Sequence, residues 1–240
     1  MIVLITGGAS GLGEAITCKI ASNSADTVYF TYSKSDSNAK NITKKFPNAI
    51  SVKCDFGNLT EVNDLCDKID KMGVDVLINN AYAGSFLETY FHKLNVDSFA
   101  AGFEKNIIPT IKITQSAILC FRKKKFGKII TILTTALVNT PPIGSSIYAA
   151  NKAYVQELTK IWAVENIKYN ITSNTVSPSI MLTNMTSSMD ERVIEQIKES
   201  HPLKKILTCD EVAESVSFLT NSTQQINGLN IILNAGENIK

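Results

Sequence analysis

Short apolar runs alternate with longer amphipathic stretches along the whole chain. The runs are rich in valine and isoleucine, as expected of strands buried on both faces; they cover Ile2–Thr6, Thr27–Tyr32, Ile50–Cys54, Val74–Asn79, Lys128–Leu133, Asn170–Val176 and Leu229–Leu233. The stretches with helical periodicity between them are Leu12–Ser22, Asn38–Phe46, Glu61–Met72, Phe99–Lys124, Ile147–Asn166 and Asp210–Leu219. This alternation predicts one α/β domain over residues 1–240, a doubly wound, seven-stranded parallel sheet of the Rossmann type with helices on both faces.

The bulk composition excludes several classes of protein. The net charge is only +2, which gives no reason to expect nucleic acid or an acidic membrane surface as a partner. No stretch reaches the roughly 18 uncharged apolar residues that span a bilayer, and no basic leader precedes the first run. The five cysteines form no CxxC pair, and the two histidines, His92 and His201, are expected in surface or loop positions. We therefore expect a cytoplasmic protein with reduced thiols and without a metal site.

A glycine-rich turn follows the first run at once. The segment 6–13 reads TGGASGLG and leads into the first helical stretch. Glycines let the backbone approach a pyrophosphate, and the helix N-terminus offers free N–H groups to it. The pattern therefore predicts a dinucleotide site, whereas a plain glycine turn is the alternative interpretation. The candidate cofactor-binding residues here are Gly7, Ser10, Gly11, Leu12 and Gly13.

The end of the second run distinguishes between NADP(H) and NAD(H). An acidic residue at this point would bind the ribose 2′-hydroxyl and repel a 2′-phosphate. Here Ser33 and Lys34 follow Tyr32, and the first carboxylate is Asp36. Hydroxyl and ammonium donors suit a phosphate, so NADP(H) is favoured. The presence of Ser10, rather than an arginine, before Gly11 keeps NAD(H) as the alternative.

Further cofactor contacts are expected where the third and fourth runs end. Asp55 could accept a hydrogen bond from the adenine amino group, and Phe56 lies beside it. Asn80 and Ala81 follow the fourth run, where the backbone must pass the cofactor. The alternative for Asn79 and Asn80 is turn formation, which asparagine favours.

Tyr148 and Lys152 are four residues apart in a predicted helix, so their side chains share one face. A phenol has a pKa of about 10 and needs a decrease of roughly three units to act as a base near neutrality. A neighbouring ammonium and a cationic nicotinamide ring could provide this decrease. Thr134 and Thr135, at the end of the fifth run, are the candidate hydroxyls for binding a substrate oxygen.

Together with Asn106, these motifs resemble the short-chain dehydrogenase/reductase family from Met1 to about Ile239, most closely its 3-oxoacyl-[acyl-carrier-protein] reductase type. Four further segments support the resemblance: GKIITI at 127–132, Asn184-Met185-Thr186, Glu211-Val212-Ala213 and Ile226-Asn227-Gly228. The resemblance implies an NADP(H)-dependent oxidoreductase that transfers a hydride between the nicotinamide and a ketone or secondary alcohol. It also implies a small-molecule substrate, free or bound to a carrier protein, and a homodimer or homotetramer paired through the two long helices.

The resemblance implies roles for the matching residues. Tyr148 would exchange the proton with the substrate oxygen, and Lys152 would bind the nicotinamide ribose and lower the tyrosine pKa. Asn106 would brace a water that links Lys152 to solvent, and Thr134 would bind the substrate oxygen. Three residues after the sixth run would contact the cofactor: Pro178, Ile180 and Thr183.

The chain departs from the family pattern near the expected nicotinamide position. Tyr82 and Ser179 stand where the family usually has glycine, and Thr134 stands where it usually has serine. Thr134 also lies fourteen residues before Tyr148, one more than usual, so Thr135 is the alternative donor. The distance of Thr134 from Asn106 favours Thr134. These departures motivate an alternative function, a catalytically quiet nucleotide-binding regulator or subunit on the same scaffold.

Two other segments stand out. The polar, methionine-containing segment Ser179–Pro202 is predicted to be a substrate-side flap with a short helix near Asp190–Glu199, and an ordinary surface excursion is the alternative. The basic cluster Arg122–Lys125 with Lys128 ends a long helix, where cations suit the helix dipole and carbonyls. A docking site for an acidic carrier protein is the other interpretation of this cluster. Trp162 is expected on a packed helix face.

Overall fold

The computed structural model describes residues 1–183, 185–186 and 189–237. Within them, the strands form one parallel sheet in the order β3-β2-β1-β4-β5-β6-β7. The order reverses between β1 and β4, which is the doubly wound topology. The predicted fold class is therefore confirmed. The strands are β1 (Ile2–Ile5), β2 (Thr27–Tyr32), β3 (Ala49–Lys53), β4 (Val76–Asn79), β5 (Gly127–Ile132), β6 (Ile171–Pro178) and β7 (Asn230–Leu233).

Helices cover both faces of the sheet. They are α1 (Gly11–Ala21), α2 (Asp36–Lys45), α3 (Leu59–Met72), α4 (Val96–Lys124), α5 (Ser146–Asn166), α6 (Glu191–Ser200) and α7 (Cys209–Asn221). α1, α2 and α7 pack on one face, whereas α3, α4 and α5 pack on the other. Within the described part of the chain, no helix combines the length and the apolar character needed to cross a membrane.

Strands β1 to β6 each contribute side chains to two separate cores. Val3 and Ile5 of β1 point towards α1 and α7, whereas Leu4 between them packs on the side of α3 and α4. This alternation explains why the runs contain few polar residues, since both faces of the strand are buried. Trp162 packs in the second core and is 8% exposed, as expected for a packed helix face.

Several helices begin before their apolar periodicity because side chains cap their first turns. The Asn95 side chain accepts a hydrogen bond from the Asp97 amide at 3.0 Å, so α4 begins at Val96 and not at Phe99. Thr208 and Glu211 form a reciprocal capping box at α7. Capping residues are polar and lie outside the hydrophobic pattern, so the pattern alone places these starts late.

The basic residues at the end of α4, Arg122–Lys125, and the nearby Lys128 form contacts within the protein. Arg122 donates to Asn166 Oδ1 at 2.7 and 2.9 Å, and Lys123 pairs with Asp70 at 2.8 Å. Lys128 is buried and donates to the carbonyl oxygen of Thr220 at 2.8 Å, at the end of α7. Burial lowers the pKa of the Lys128 ammonium. These contacts agree with the interpretation that the cations hold helix ends and carbonyls.

Candidate active site

A cleft of about 990 Å³ lies at the carboxyl ends of the strands. Parallel strands expose these ends at one edge of the sheet, where ligands bind in open α/β folds. The structure brings together there every residue that the sequence proposed for cofactor contact, and adds the hydroxyl of Thr134. These residues are Gly7, Ser10, Gly11, Leu12, Gly13, Ser33, Lys34, Asp55, Phe56, Asn80, Ala81, Tyr148, Lys152, Pro178, Ile180 and Thr183.

The glycine turn leaves no room for side chains. A Cβ on Gly13 would lie 1.9 Å from the carbonyl oxygen of Gly7, and Gly11 has a φ of +51°. Both positions therefore require glycine. Ser10 precedes α1 in extended conformation and its side chain makes no capping bond, so the first N–H groups of the helix remain available for an anion.

The two asparagines at the end of β4 form hydrogen bonds within the protein. The side-chain amide of Asn80 donates to the carbonyl oxygens of Thr6 at 2.9 Å and Gly7 at 3.1 Å. Asn79 donates to the hydroxyl of Thr114 on α4 at 3.0 Å. Asn80 therefore fixes the glycine turn through side-chain bonds, a role that neither turn formation nor direct cofactor contact describes.

The end of β2 presents a cation to the cleft. Lys34 lines the cleft and forms no ion pair within the part of the chain that the structure describes. The nearest acidic residue in sequence, Asp36, instead faces Lys53, with 3.7 Å between the ammonium and the carboxylate. A phosphate near Ser33 and Lys34 would thus meet donors and a free positive charge.

Asp55 and Phe56 border the same cleft beyond β3. One carboxylate oxygen of Asp55 accepts a hydrogen bond from the Gly57 amide at 2.9 Å, which holds the side chain in a turn. Phe56 is buried in the core on the α3 side. The structure therefore gives both residues a structural contact in addition to their position at the cleft.

Tyr148, Thr134 and Lys152 meet at the other end of the cleft. Burial raises the pKa of Tyr148 to about 12, although a hydrogen bond from the Thr134 side chain favours the phenolate. Thr134 Oγ1 also accepts from the Ala136 amide at 3.2 Å, which orients its side chain. Among the described residues, Thr134 and not Thr135 is the threonine whose side chain shifts the Tyr148 pKa.

Lys152 is buried beside this tyrosine. Its ammonium donates to the carbonyl oxygen of Ile132 at 2.7 Å, and burial lowers its pKa to about 8. It lies 5.8 Å from the centre of the Tyr148 ring. The expectation that Lys152 lowers the Tyr148 pKa is not met in this structure, because desolvation of the phenol is the dominant effect and shifts the pKa upwards.

Asn106 lies behind the cleft and does not line it. Its side chain accepts from the Ala83 amide at 2.6 Å and donates to the Ala83 carbonyl oxygen at 3.0 Å, so it holds both sides of one residue in the loop after β4. Asn106 and Lys152 both border a separate cavity of about 20 Å³. A cavity of this size can hold one water molecule.

Two aromatic rings flank Tyr148. Tyr82 and Phe86 both meet it edge-on, each with 5.0 Å between ring centres. Sequence reasoning noted Tyr82 as a replaced glycine but missed Phe86. The aromatic residues that recur between Tyr82 and Phe91 are the one signal that could have found it.

The flap begins and ends beside the cleft. Its helix α6 matches the predicted short helix, and a parallel bridge joins Met181 to Leu207 at its base. The Thr183 side chain lies against Gly11, 3.4 Å from where a Cβ would be. His201 follows α6 and is only 7% exposed; its Nδ1 accepts from the Leu203 amide at 3.2 Å. His201 therefore lies in a loop, as expected, but it is buried and not at the surface.

Some motif residues and lining residues need separate mention. Asn184 and Ile239, part of the family resemblance, lie outside the described residues. Several polar residues line the cleft without having been predicted, among them Lys105, Asn139 and Glu237. Asn139 donates to the Glu237 carboxylate at 3.3 Å across 98 residues of sequence, a pairing that no local pattern could reveal.

Comparisons with known proteins agree with this geometry. A family model described as enoyl-(acyl carrier protein) reductase matches residues 7–238. A 3-oxoacyl-[acyl-carrier-protein] reductase of Aquifex aeolicus is 29% identical over 98% of this chain and 96% of its own. A 2,3-dihydro-2,3-dihydroxybenzoate dehydrogenase of Bacillus subtilis is 28% identical over 92% and 88%. A Burkholderia cenocepacia short chain dehydrogenase, solved in complex with NADP, is 25% identical with a TM-score of 0.85 over 99% and 97%. The chain belongs to the short-chain dehydrogenase/reductase family of NAD(P)-dependent oxidoreductases that act on CH–OH groups.

Proposed function

We propose that this protein is an NADP(H)-dependent ketoreductase or alcohol dehydrogenase in which Tyr148 exchanges the proton with the substrate oxygen. The observation that carries the proposal is the placement of Tyr148, together with Thr134 and Lys152, in the same cleft as the glycine turn. A proton donor and a dinucleotide site that share one cleft are what carbonyl reduction requires.

The residues at the cofactor end fit a dinucleotide phosphate. A Cβ at Gly13 would fill the space beside Gly7, and the N-terminus of α1 is open to an anion. Ser33 and Lys34 would hold a 2′-phosphate, and the relative from Burkholderia cenocepacia was solved with NADP. When bound, the nicotinamide supplies or accepts the hydride. Pro178, Ile180 and Thr183 would border it from the flap side.

Tyr148 suits the reducing direction. Because burial raises its pKa to about 12, the phenol keeps its proton at neutral pH and can donate it to a carbonyl oxygen as negative charge develops there. The Thr134 hydroxyl would position the substrate oxygen next to the Tyr148 phenol. In the oxidising direction the phenol must lose its proton, and the burial seen here opposes that loss.

Lys152 would provide the positive charge in this pair. With a pKa of about 8, its ammonium is mostly protonated near neutral pH. It would bind the nicotinamide ribose and compensate the charge that forms on Tyr148 during turnover. The cavity beside Asn106 could hold a water that returns a proton to Lys152.

The substrate proposed first is a 3-oxoacyl thioester, free or bound to a carrier protein. This choice rests on the name of the Aquifex aeolicus relative, whereas the Bacillus subtilis relative is named for a dihydrodiol. One scaffold in this family supports many substrates, so the alcohol or ketone class is proposed more broadly than the acyl group.

We further propose a cytoplasmic, single-domain protein over residues 1–240 that forms a homodimer or homotetramer. Large apolar side chains remain exposed on the two long helices of the chain, as on a face that a second copy would cover. They include Leu119 on α4 and Tyr154, Ile161 and Val164 on α5. Light scattering after gel filtration would give the number of copies.

The experiment that tests the proposed function is a Tyr148→Phe variant. Oxidation of NADPH and NADH is followed over a panel of acyl thioesters, keto sugars and small ketones, and cofactor binding is measured by fluorescence. The wild type should turn over at least one compound with NADPH. The variant should lose about 1000-fold in kcat, because the proton donor is missing, while NADPH binds within about twofold of wild type.

Tyr154→Phe is the matched control, since Tyr154 is on the same helix but 45% exposed. It should keep wild-type turnover. Full activity in Tyr148→Phe would overturn the assignment of Tyr148. NADPH binding without turnover of any compound by the wild type would support the alternative of a quiet nucleotide-binding regulator.

A further inference from the structure

Tyr82 lies between the cleft and the small cavity behind it. It is one of the few residues that border both spaces, and Lys152 is another. A glycine, the usual family residue here, would leave this position empty. The tyrosine ring instead forms part of the wall that encloses the Lys152 ammonium.

The backbone on both sides of Tyr82 is fixed. The Ala81 amide donates to the hydroxyl of Thr6 at 3.0 Å, and Ala83 is held by Asn106 through its N–H and its carbonyl oxygen. With both neighbours anchored, the Tyr82 side chain has little freedom to leave its position. The contacts of its ring are therefore determined by the fold and not by a mobile loop.

The Tyr82 ring contacts both members of the proposed catalytic pair. It meets the Tyr148 ring at 77° with 5.0 Å between centres, a favourable edge-on geometry. The Lys152 ammonium lies 5.4 Å from the centre of the Tyr82 ring, within the range of a cation–π interaction. Phe86 also meets Tyr148 edge-on, but among the described residues no such contact joins it to Lys152.

The hydroxyl of Tyr82 faces Asn151, which directly precedes Lys152 on α5. The Asn151 amide nitrogen is buried and has no well-formed hydrogen bond among the described residues. The Asn151 side chain favours the Tyr82 phenolate, but burial outweighs this effect and raises the Tyr82 pKa. Glu88 raises it further, so Tyr82 stays neutral beside the ammonium.

The geometry points to Tyr82 as a positioning residue of the proposed reaction, whose ring keeps the Lys152 ammonium charged and packs against the Tyr148 ring so that the phenol is held in place. The catalytic part of this inference rests on the proposed function, whereas the effect on Lys152 does not. An ammonium has three N–H donors, and here one of them bonds to Ile132. In a buried site, the negative face of an aromatic ring replaces part of the solvation that the ammonium loses.

The first test is an NMR titration of Lys152 in protein labelled with ¹³C-lysine, with the signal assigned from Lys152→Arg. Among the described residues, the titratable side chains that face this ammonium are Tyr82 and Tyr148, and no carboxylate contributes to its pKa shift. In Tyr82→Leu, which removes the aromatic face, the midpoint should fall by about one pH unit, a tenfold change in the protonation equilibrium. In Tyr82→Phe, which keeps the ring, it should stay within about 0.3 unit of wild type.

Phe86→Leu is the matched control for this titration. It removes an equivalent ring from Tyr148 and leaves the Lys152 contact in place. Its Lys152 midpoint should therefore equal that of the wild type. Thermal unfolding of all three variants identifies any that fail to fold, and Tyr82→Phe provides a conservative variant that keeps the inference testable in that case.

The second test is the pH profile of kcat with NADPH and a substrate from the screen. Activity that needs a charged Lys152 falls as the pH rises through its pKa, so Tyr82→Leu should lose activity at a pH about one unit lower than wild type. The KM for NADPH should change less than kcat. An unshifted Lys152 midpoint in folded Tyr82→Leu would overturn the inference. A shifted Lys152 midpoint in Tyr82→Leu, with no turnover by the wild type or any variant, would support the effect of Tyr82 on Lys152 and refute the proposed function.

Discussion

The two ends of the cleft are built from different materials. At the cofactor end, backbone atoms form the surface: the glycine turn, the N-terminus of α1 and the segment after β4. At the catalytic end, side chains from three distant segments form it: Tyr82 after β4, Thr134 after β5, and Tyr148 with Lys152 on α5. At the cofactor end, a glycine can be replaced only where the backbone leaves space for a Cβ atom. At the catalytic end, the positions of the functional groups depend on how these side chains pack.

The two ends also treat their ammonium groups differently. Lys34 lines the open end and has no ion-pair partner in the described ranges, so its charge is available for a phosphate. Lys152 is enclosed, and burial lowers its pKa to about 8. The comparison teaches that exposure suits a binding charge, whereas burial places a charge close to its titration range, where it can take part in proton transfer.

The largest effect is expected at the backbone-built end, from Gly13→Ala. Its Cβ would lie 1.9 Å from the Gly7 carbonyl oxygen, so the turn must shift away from the phosphate position. We expect the Kd for NADPH to rise by more than about 100-fold, measured by fluorescence titration. Gly57→Ala is the control, because a Cβ there meets only the Asp55 carboxylate at 3.4 Å, and it should bind normally. Normal binding by folded Gly13→Ala would show that this turn does not form the site.

At the side-chain-built end, Thr134→Val should separate catalysis from binding. The change removes the hydroxyl that favours the Tyr148 phenolate but keeps the branched shape. We expect kcat to fall about 30-fold, the value of one hydrogen bond to a developing charge, with an unchanged Kd for NADPH. Thr135→Val should be nearly silent. The opposite ranking of the two variants would transfer the role to Thr135.

A smaller effect is expected for Lys34→Ala at the exposed end. Loss of one exposed ammonium should weaken NADPH binding about tenfold and leave NADH binding within about twofold. Lys53→Ala removes a nearby cation that pairs with Asp36 and does not line the cleft, so it is the control. The ratio of the two Kd values reports the preference directly. An equal loss for both cofactors would indicate that Lys34 does not contact the 2′-phosphate.

Most of the fold could be predicted from local patterns. All seven strands and the helices follow the predicted order, and β2 has the predicted bounds, because its run consists of β-branched and aromatic residues throughout. The starts of α4 and α7 were placed late, since Asn95 and Thr208 act through capping bonds and not through hydrophobic periodicity. The flap helix α6 could be predicted because its charged and apolar residues alternate with helical spacing between two loops.

The site was predictable where one residue type is obligatory and unpredictable where contacts are distant in sequence. Glycines announce the cofactor turn because a side chain cannot fit there. Contacts that depend on tertiary packing could not be predicted. They are the two hydrogen bonds between Asn106 and Ala83, the burial of His201 and the pairing of Asn139 with Glu237. The direction of the Tyr148 pKa was also missed, because burial cannot be judged from a helix pattern alone.

The hydrogen bonds from Asn106 divide the loop after β4 into two parts with different dynamics. Ala83 belongs to no strand or helix, yet its amide hydrogen is held by a side chain that is only 3% exposed. Its exchange with deuterated solvent should be as slow as that of a core strand. Gly84, with a φ of +127°, follows immediately and makes a natural pivot. Opening of this loop towards an incoming substrate should therefore begin at Gly84 and leave the stem that carries Tyr82 in place.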